Sequence, residues 1–527
     1  MKQYRFKTTI IVAMSICCAV LFASCTGNFE ELNTHPTNPD PTKDMTEAER
    51  VGTLIPSMLY LMHNFQENQN QMIEQMVGGQ YGGYFATTNN WQGTNFGTFN
   101  PPANWVEYPF NTLFTKFYSN YLTIKEVTEG KGYVFSWVNI IRVAVMLRVA
   151  DTYGPIPYSK MGGGQFAVEY DSVEDIYHKM IDDLDESINT LTIFLEENKG
   201  KKIPIAEFDL IYDGEFSKWI RFANSLKFRM AVRIANVDTD YAKVVMTKAI
   251  AAGVIESNGD NAFLPTSDNP YYKASNDWGD LAMNAMMSAY MNGYSDPRRS
   301  VYMLKTADDV YRGVRIGIAN INKGIYGTAQ YSKPAFKKDS PLLVYCAAET
   351  FFLKAEAALQ GWIPGGTSQS KIYYEQGITT SMEQHGVAIG TYLAGTTSAI
   401  RYNDPNGNVN APSFSSITVS WDNGSATTTM KLEKIITQKW LANYPLGFEA
   451  WADHRRTGYP QMITAQNNLS TASSIGSITN TKTRLVRRLP YPVSEYSGNS
   501  QNVEAAVANL LGGADTGATD LWWARKN

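Results

Sequence analysis

The feature that most constrains this chain is a recurring helical stripe. From 173 to 195, Val173, Ile176, Met180, Leu184, Ile188, Leu191 and Leu195 fall at three- and four-residue steps. That spacing lays apolar side chains along one helix face. Asp171 or Ser172 can cap the start, and Glu174 and Asp175 place negative charge at the positive end of the helix dipole. Phe216, Trp219, Ile220, Ala223, Leu226, Met230 and Ile234 mark a second stripe over 215–235. Val344, Ala347, Phe351, Ala355 and Leu359 mark a third over 342–360. Further helices are expected at 46–77, 111–127, 134–151, 240–252, 280–292, 369–385, 430–444 and 447–456. Strand-like alternation is sparse. Helices arriving in pairs across short Gly or Pro turns predict a mostly α fold of stacked helical hairpins with little β.

The N-terminus reads as an address. Lys2, Arg5 and Lys7 precede an apolar run from Thr9 to Phe22, too short for a comfortable membrane span. Leu21-Phe22-Ala23-Ser24-Cys25 then resembles a lipoprotein signal over residues 1–24, cut before Cys25, whose thiol would carry lipid. An ordinary secretory signal cut near Ala23 is the alternative. Residues 25–45, rich in Pro, Asn and Thr, read as an extended leash. The body is expected from 46 to 527 as one domain.

Cys17 and Cys18 lie in the signal, so with Cys25 acylated only Cys346 remains. No intrachain disulfide can then form, and core packing must hold an exported protein of this size. Cys346 sits in an apolar run and reads as a buried thiol. Removing the signal takes away Lys2, Arg5 and Lys7 and no acid. The 46 basic residues become 43 against 50 acidic, and the net charge moves from −4 to −7. No basic excess is left for phosphate neutralisation, which excludes a typical nucleic-acid binder. After the signal no stretch reads as apolar for a full membrane span.

Aromatic residues make up 12% of the chain, and they cluster outside the stripes. Residues 78–110 hold Tyr81, Tyr84, Phe85, Trp91, Phe96, Phe99, Trp105, Tyr108 and Phe110 among glycines and amides. Residues 257–279 add Tyr271, Tyr272 and Trp278 among Asn and Asp, and 386–429 reads as irregular surface loops. Two explanations compete for the clustered rings: they pack long loops onto the helices, or they stack on a ligand. A pyranose face carries C–H bonds that pack on a ring. Its edge hydroxyls need polar partners, because a buried unpaired one costs about 1–3 kcal/mol.

Signatures of catalysis are missing: no HExxH, CxxC pair, Walker A or GxSxG occurs. The five histidines show no metal-ligand spacing, and no cofactor is implied. The Asp404-Pro405-Asn406-Gly407-Asn408 turn could hold Ca²⁺, but an Asn/Gly turn is the simpler reading. A convergent pair of carboxylates remains open to a surface hydrolase.

Several blocks, in order, resemble the SusD/RagB family of outer-membrane lipoproteins. They include Glu31-Leu32-Asn33-Thr34-His35-Pro36, Asp151-Thr152-Tyr153-Gly154-Pro155-Ile156-Pro157-Tyr158-Ser159 and Lys218-Trp219-Ile220-Arg221-Phe222-Ala223-Asn224-Ser225-Leu226-Lys227. Ala355-Glu356-Ala357-Ala358 and Glu449-Ala450-Trp451-Ala452-Asp453-His454-Arg455-Arg456-Thr457-Gly458 continue the series. The resemblance implies tetratricopeptide-like helix pairs carrying an irregular ligand face, on a lipoprotein at the outer surface of the outer membrane. It implies a SusC-like TonB-dependent transporter as partner, and an oligosaccharide or sometimes a peptide as ligand. No family motif transfers onto the loops residue by residue.

From the residues themselves, Trp91 and Tyr84 are the expected platforms and Asn89 and Asn90 the edge partners, joined by Tyr271, Tyr272 and Trp278. Trp219, Trp440 and Trp451 are expected in the core, and Arg455 and Arg456 are expected to pair with Glu449 or Asp453.

Overall fold

A computed structural model describes residues 47–201, 203–423, 426–479 and 485–525. Cys25, the signal and the leash lie outside the described residues. The chain divides into two compact units, 1–53 and 54–527. The described part of the first contains the short helix Glu47–Gly52.

In the second unit the stripes become long helices, numbered here in chain order: α1 Gly132–Tyr153, α2 Val173–Glu197, α3 Phe216–Ile234, α4 Thr239–Ala252, α5 Ala347–Leu359, α6 Gly366–Gln384, α7 Thr428–Ala442 and α8 Gly447–Thr457. They pack as hairpins, α1 on α2, α3 on α4 and α5 on α6, with α7 against both α5 and α6. This is the mostly helical, hairpin-stacked architecture that the periodicity predicts. Ser172 caps α2, its side chain accepting from Asp175 N. Gly154, at φ 97°, ends α1 in a conformation that L side chains rarely adopt.

Three expectations need correction. The stripe at 342–360 begins as a strand, β4 Leu342–Tyr345, and Cys346 sits at the N-cap of α5. A helix was expected from 280, but Leu281–Met283 is a strand and helix begins at Ala285. The stretch 46–77 is not one helix but short pieces ending in a π-helix, Gln71–Gly79. In the first two cases an apolar run of fewer than eight residues carries too little periodicity to separate strand from helix. α1 itself is long and apolar enough to cross a membrane, contrary to the reading of its sequence, but it is a core helix. Arg142, Arg148 and Asp151 on it are all buried.

The core also holds a network of buried charges. Arg229 on α3 donates two hydrogen bonds of 2.7 Å to Glu349 on α5. Arg233 pairs with Asp151 on α1 and Glu449 on α8. Lys439 on α7 lies 2.9 Å from Asp453, and Arg456 lies 2.5 Å from Glu356. Arg456 also reaches Asp453, as expected, at 3.3 Å. Arg455 instead lies 3.8 Å over the Trp451 ring and donates to backbone carbonyls of Asp151 and Arg487. Burial pushes its guanidinium down to about 9. Truncating one partner of such a buried pair costs about 3–5 kcal/mol, because the other charge is left uncompensated.

Trp219, Trp440 and Trp451 are core residues, each 2% exposed or less. Cys346 is buried, and burial pushes its thiol up to about 12. Residues 386–429 are irregular as expected, yet not merely surface: Tyr392, Tyr402, Ile417, Val419 and Trp421 are buried.

Two small antiparallel sheets complete the unit. β1 Phe85–Thr87 pairs with β3 Leu281–Met283, and β2 Ala262–Leu264 pairs with β4. The run Gly78-Gly79-Gln80-Tyr81-Gly82-Gly83 has a packing role. A Cβ on Gly82 would lie 2.5 Å from Gly447 O, so the start of α8 can approach only glycine here. That contact anchors the loop that carries the site.

Candidate functional site

Pairing of β1 with β3 is what builds the site, because it joins the two aromatic loops. The register sets Phe85 opposite Met283, Ala86 opposite Ala282 and Thr87 opposite Leu281. Past the strand, Thr88 N donates to Asp280 O at 3.0 Å, and Thr88 Oγ1 donates to Gly279 O at 2.6 Å. Asn89 and Trp278 are thereby held on adjoining stretches of backbone.

Asp280 is the hub. Its Oδ1 accepts from Asn89 Nδ2 at 3.1 Å and from the Lys323 ammonium at 2.5 Å. Its Oδ2 accepts from Gln71 Nε2 at 3.3 Å. Lys323 also donates to Trp278 O at 2.7 Å. The carboxylate is engaged on both oxygens, which suits a positioning residue better than a general acid. Asp280 adjoins the aromatic loop and was within reach of sequence reasoning. Lys323, more than 40 residues away, had no signal.

Trp91 stands on a strained turn. Trp91, Gln92 and Gly93 have φ values of 38°, 62° and 84° in succession. A bulky residue in the left-handed region costs roughly 1–3 kcal/mol and persists only where its surroundings fix it. Here Trp91 N donates to Asn89 Oδ1 at 3.3 Å, and Asn100 Nδ2 donates to Gly93 O at 3.0 Å. The Trp91 ring stays partly exposed and meets Trp105 edge-on, with ring centroids 5.7 Å apart. Trp278 is also partly exposed. Asn90 is partly exposed, and its Oδ1 is covered with no donor among the described residues.

Two expected platforms belong elsewhere. Tyr84 and Tyr271 are fully buried. Tyr84 stacks on Trp440, with centroids 5.6 Å apart and planes 10° apart, and donates to Trp440 O at 2.6 Å. Tyr271 stacks on Phe336, and its hydroxyl lies 2.8 Å from His63 Nε2. Burial raises both phenols. Neither ring has a free face to offer, so both are corrected to core residues. Tyr272, next to Tyr271, is partly exposed, with the Lys338 ammonium 5.7 Å from its ring centre.

The Asp404 turn closes on itself: Asp404 Oδ2 accepts from Asn408 N, and Oδ1 accepts from the Tyr331 hydroxyl. Spacing along the sequence missed one grouping. Ligand atoms of Glu174, His178 and Asp238 lie within 4.8 Å of one another. His178 Nε2 lies 2.8 Å from Asp238, which ties α2 to the residue preceding α4.

Residues 31–524 match the family model described as SusD-like, SusD and RagB outer membrane lipoprotein. Solved structures agree. A SusD-like protein from Bacteroides thetaiotaomicron is 37% identical at a TM-score of 0.84, over 90% of this chain and 99% of that one. A SusD homologue from Bacteroides uniformis is 38% identical at a TM-score of 0.82, over 90% and 99%. A chitin-binding SusD homologue from Flavobacterium johnsoniae is 34% identical at a TM-score of 0.84, over 91% and 99%. No curated protein matches the chain.

Proposed function

The chain belongs to the SusD-like family of outer-membrane lipoproteins, and on that premise we propose that it captures an oligosaccharide at the cell surface and delivers it to a SusC-like TonB-dependent transporter. Lipid on Cys25 would tether it. The observation that carries the reading is that one small sheet joins the loops of Trp91 and Trp278, both partly exposed, with Asn89 held on Asp280. Rings give faces for pyranose C–H groups, and the amides Asn89 and Asn90 give partners for edge hydroxyls. Tyr272 extends the aromatic surface along the second loop. The chitin-binding homologue supports a glycan as ligand class. In this reading the protein acts by binding, and the occupation of Asp280 by three donors supports a positioning role for that carboxylate.

Isothermal titration of the mature protein against glycan and peptide panels tests this reading. It expects glycan binding with no release of cleavage products. Peptide binding alone would move the ligand to the other class, and product release would make the protein a hydrolase. Co-purification with the transporter tests delivery separately.

A further inference from the structure

A second groove lies on the other flank of the helix that carries Gln71 toward the tryptophan site. It encloses about 540 Å³ and is lined by Ser57, Tyr60, Phe65, Gln66, Gln69 and Asn120, among others. Its volume falls in the range of small-molecule sites. Tyr60 and Phe65 form an aromatic corner, with ring centroids 4.5 Å apart and planes at 36°. Tyr60 is fixed by donating to Pro265 O at 2.9 Å, and Phe65 is 41% exposed. Amides rim the corner. Asn120 Nδ2 donates to Ser57 Oγ at 2.8 Å, leaving Asn120 Oδ1 as an acceptor. Gln66 Oε1 accepts from Gln69 N at 2.9 Å, leaving Gln66 Nε2 as a donor.

Rings beside side-chain amides repeat the pairing at the Trp91 site, and Lys116 lines this groove as Lys323 adjoins the other. The two places are continuous through one short segment. Gln69 lies on helix Glu67–Asn70, which Gln66 caps, and Gln71, the next residue, donates to Asp280 away from the groove. A helix with its side chains is about 10–12 Å across, which is the span a ligand would cross from the groove to the Asp280 side. Lys273 bridges Glu67 and Asp268 on the crest between them.

We infer that this groove is a second subsite for distal sugar units of the same neutral oligosaccharide whose other end stacks at Trp91 and Trp278. The inference rests on the glycan reading above. It makes affinity depend on chain length, because only a long ligand can cross the helix and occupy both places.

The test is titration of the mature protein with short and long members of three neutral series: chitin, β-glucan and xylan oligosaccharides. For the series that binds, the long member should bind roughly tenfold more tightly, the gain expected of one further ring contact with its hydrogen bonds. A Phe65→Ala/Gln69→Ala variant should lose that gain and bind the short member as before. Trp91→Ala should weaken both. Phe65 is exposed and Gln69 is not a cap, so unchanged thermal melting of the double variant is expected as a control. The inference is overturned if long and short members bind equally, or if the double variant keeps the length gain. If no series binds, the glycan reading falls and this inference falls with it.

Discussion

Two groups of aromatic rings in this molecule share a stretch of sequence and do opposite things. Tyr81, Tyr84 and Phe85 lie in the core with Trp440, Tyr444 and Trp451, at ring-centroid distances of 5.1–5.7 Å. Trp91, a few residues on, keeps an open ring on a left-handed turn. The difference lies in what each backbone segment is tied to. Tyr84 and Phe85 sit beside and within a paired strand, and their rings are closed in by Trp440 and Tyr444. Trp91 lies beyond the strand, where Asn89 and Asp280 hold the backbone and the ring stays partly exposed beside Trp105. Ring count alone does not separate buried rings from open ones: Phe96 and Phe99, also beyond the strand, are buried.

The comparison can be broken most strongly on the core side. Tyr84→Ala removes a buried ring and a hydrogen bond to Trp440 O, and should cost about 3 kcal/mol or more of stability in urea unfolding. The folded fraction should keep its glycan affinity. A loss of affinity without a loss of stability would place Tyr84 at the ligand after all.

Acid should act on the core in the same selective way. Burial alone would raise the Asp453 carboxyl, but Lys439 and Arg456 hold it at about 2, below the ordinary 3.8. Arg298 holds Asp296 down likewise, against burial. A carboxylate whose folded pKa is depressed stabilises the fold above its unfolded value, and that contribution is lost as pH falls toward the folded value. Circular dichroism should show stability falling between 3.8 and about 2. A Lys439→Met variant should flatten that dependence.

On the rim the effects are smaller. Asp280→Asn leaves an acceptor for Asn89 but weakens the hold on Lys323, and should lower glycan affinity on the order of fivefold, about 1 kcal/mol. Melting should hardly move. Gln92→Gly should have the least effect. It relieves a positive φ, raising stability by at most about 1 kcal/mol, while freeing the turn under Trp91 and weakening binding slightly. A large stability loss in either variant would mean that the rim is part of the core.

Much of the fold was legible because long stripes such as Val173 to Leu195 repeat often enough to leave one reading. The strands were not, since β1 and β3 have three residues each and are defined by a partner almost 200 residues away. The site was half legible for the same reason. Residue types drew attention to both loops, and the structure joins them. Local sequence does not record ring direction, so Tyr84 and Tyr271 looked like Trp91. Nothing in the sequence ties Lys323 to Asp280, because their contact depends on how distant loops pack.

The most direct measurement pairs two readings on two variants. Trp91→Ala and Trp278→Ala are each titrated with the bound glycan and melted in parallel. The account predicts that each variant weakens affinity about tenfold or more while its melting temperature stays at the wild-type value. Unchanged affinity in both, or losses that only follow a fall in melting temperature, would contradict it.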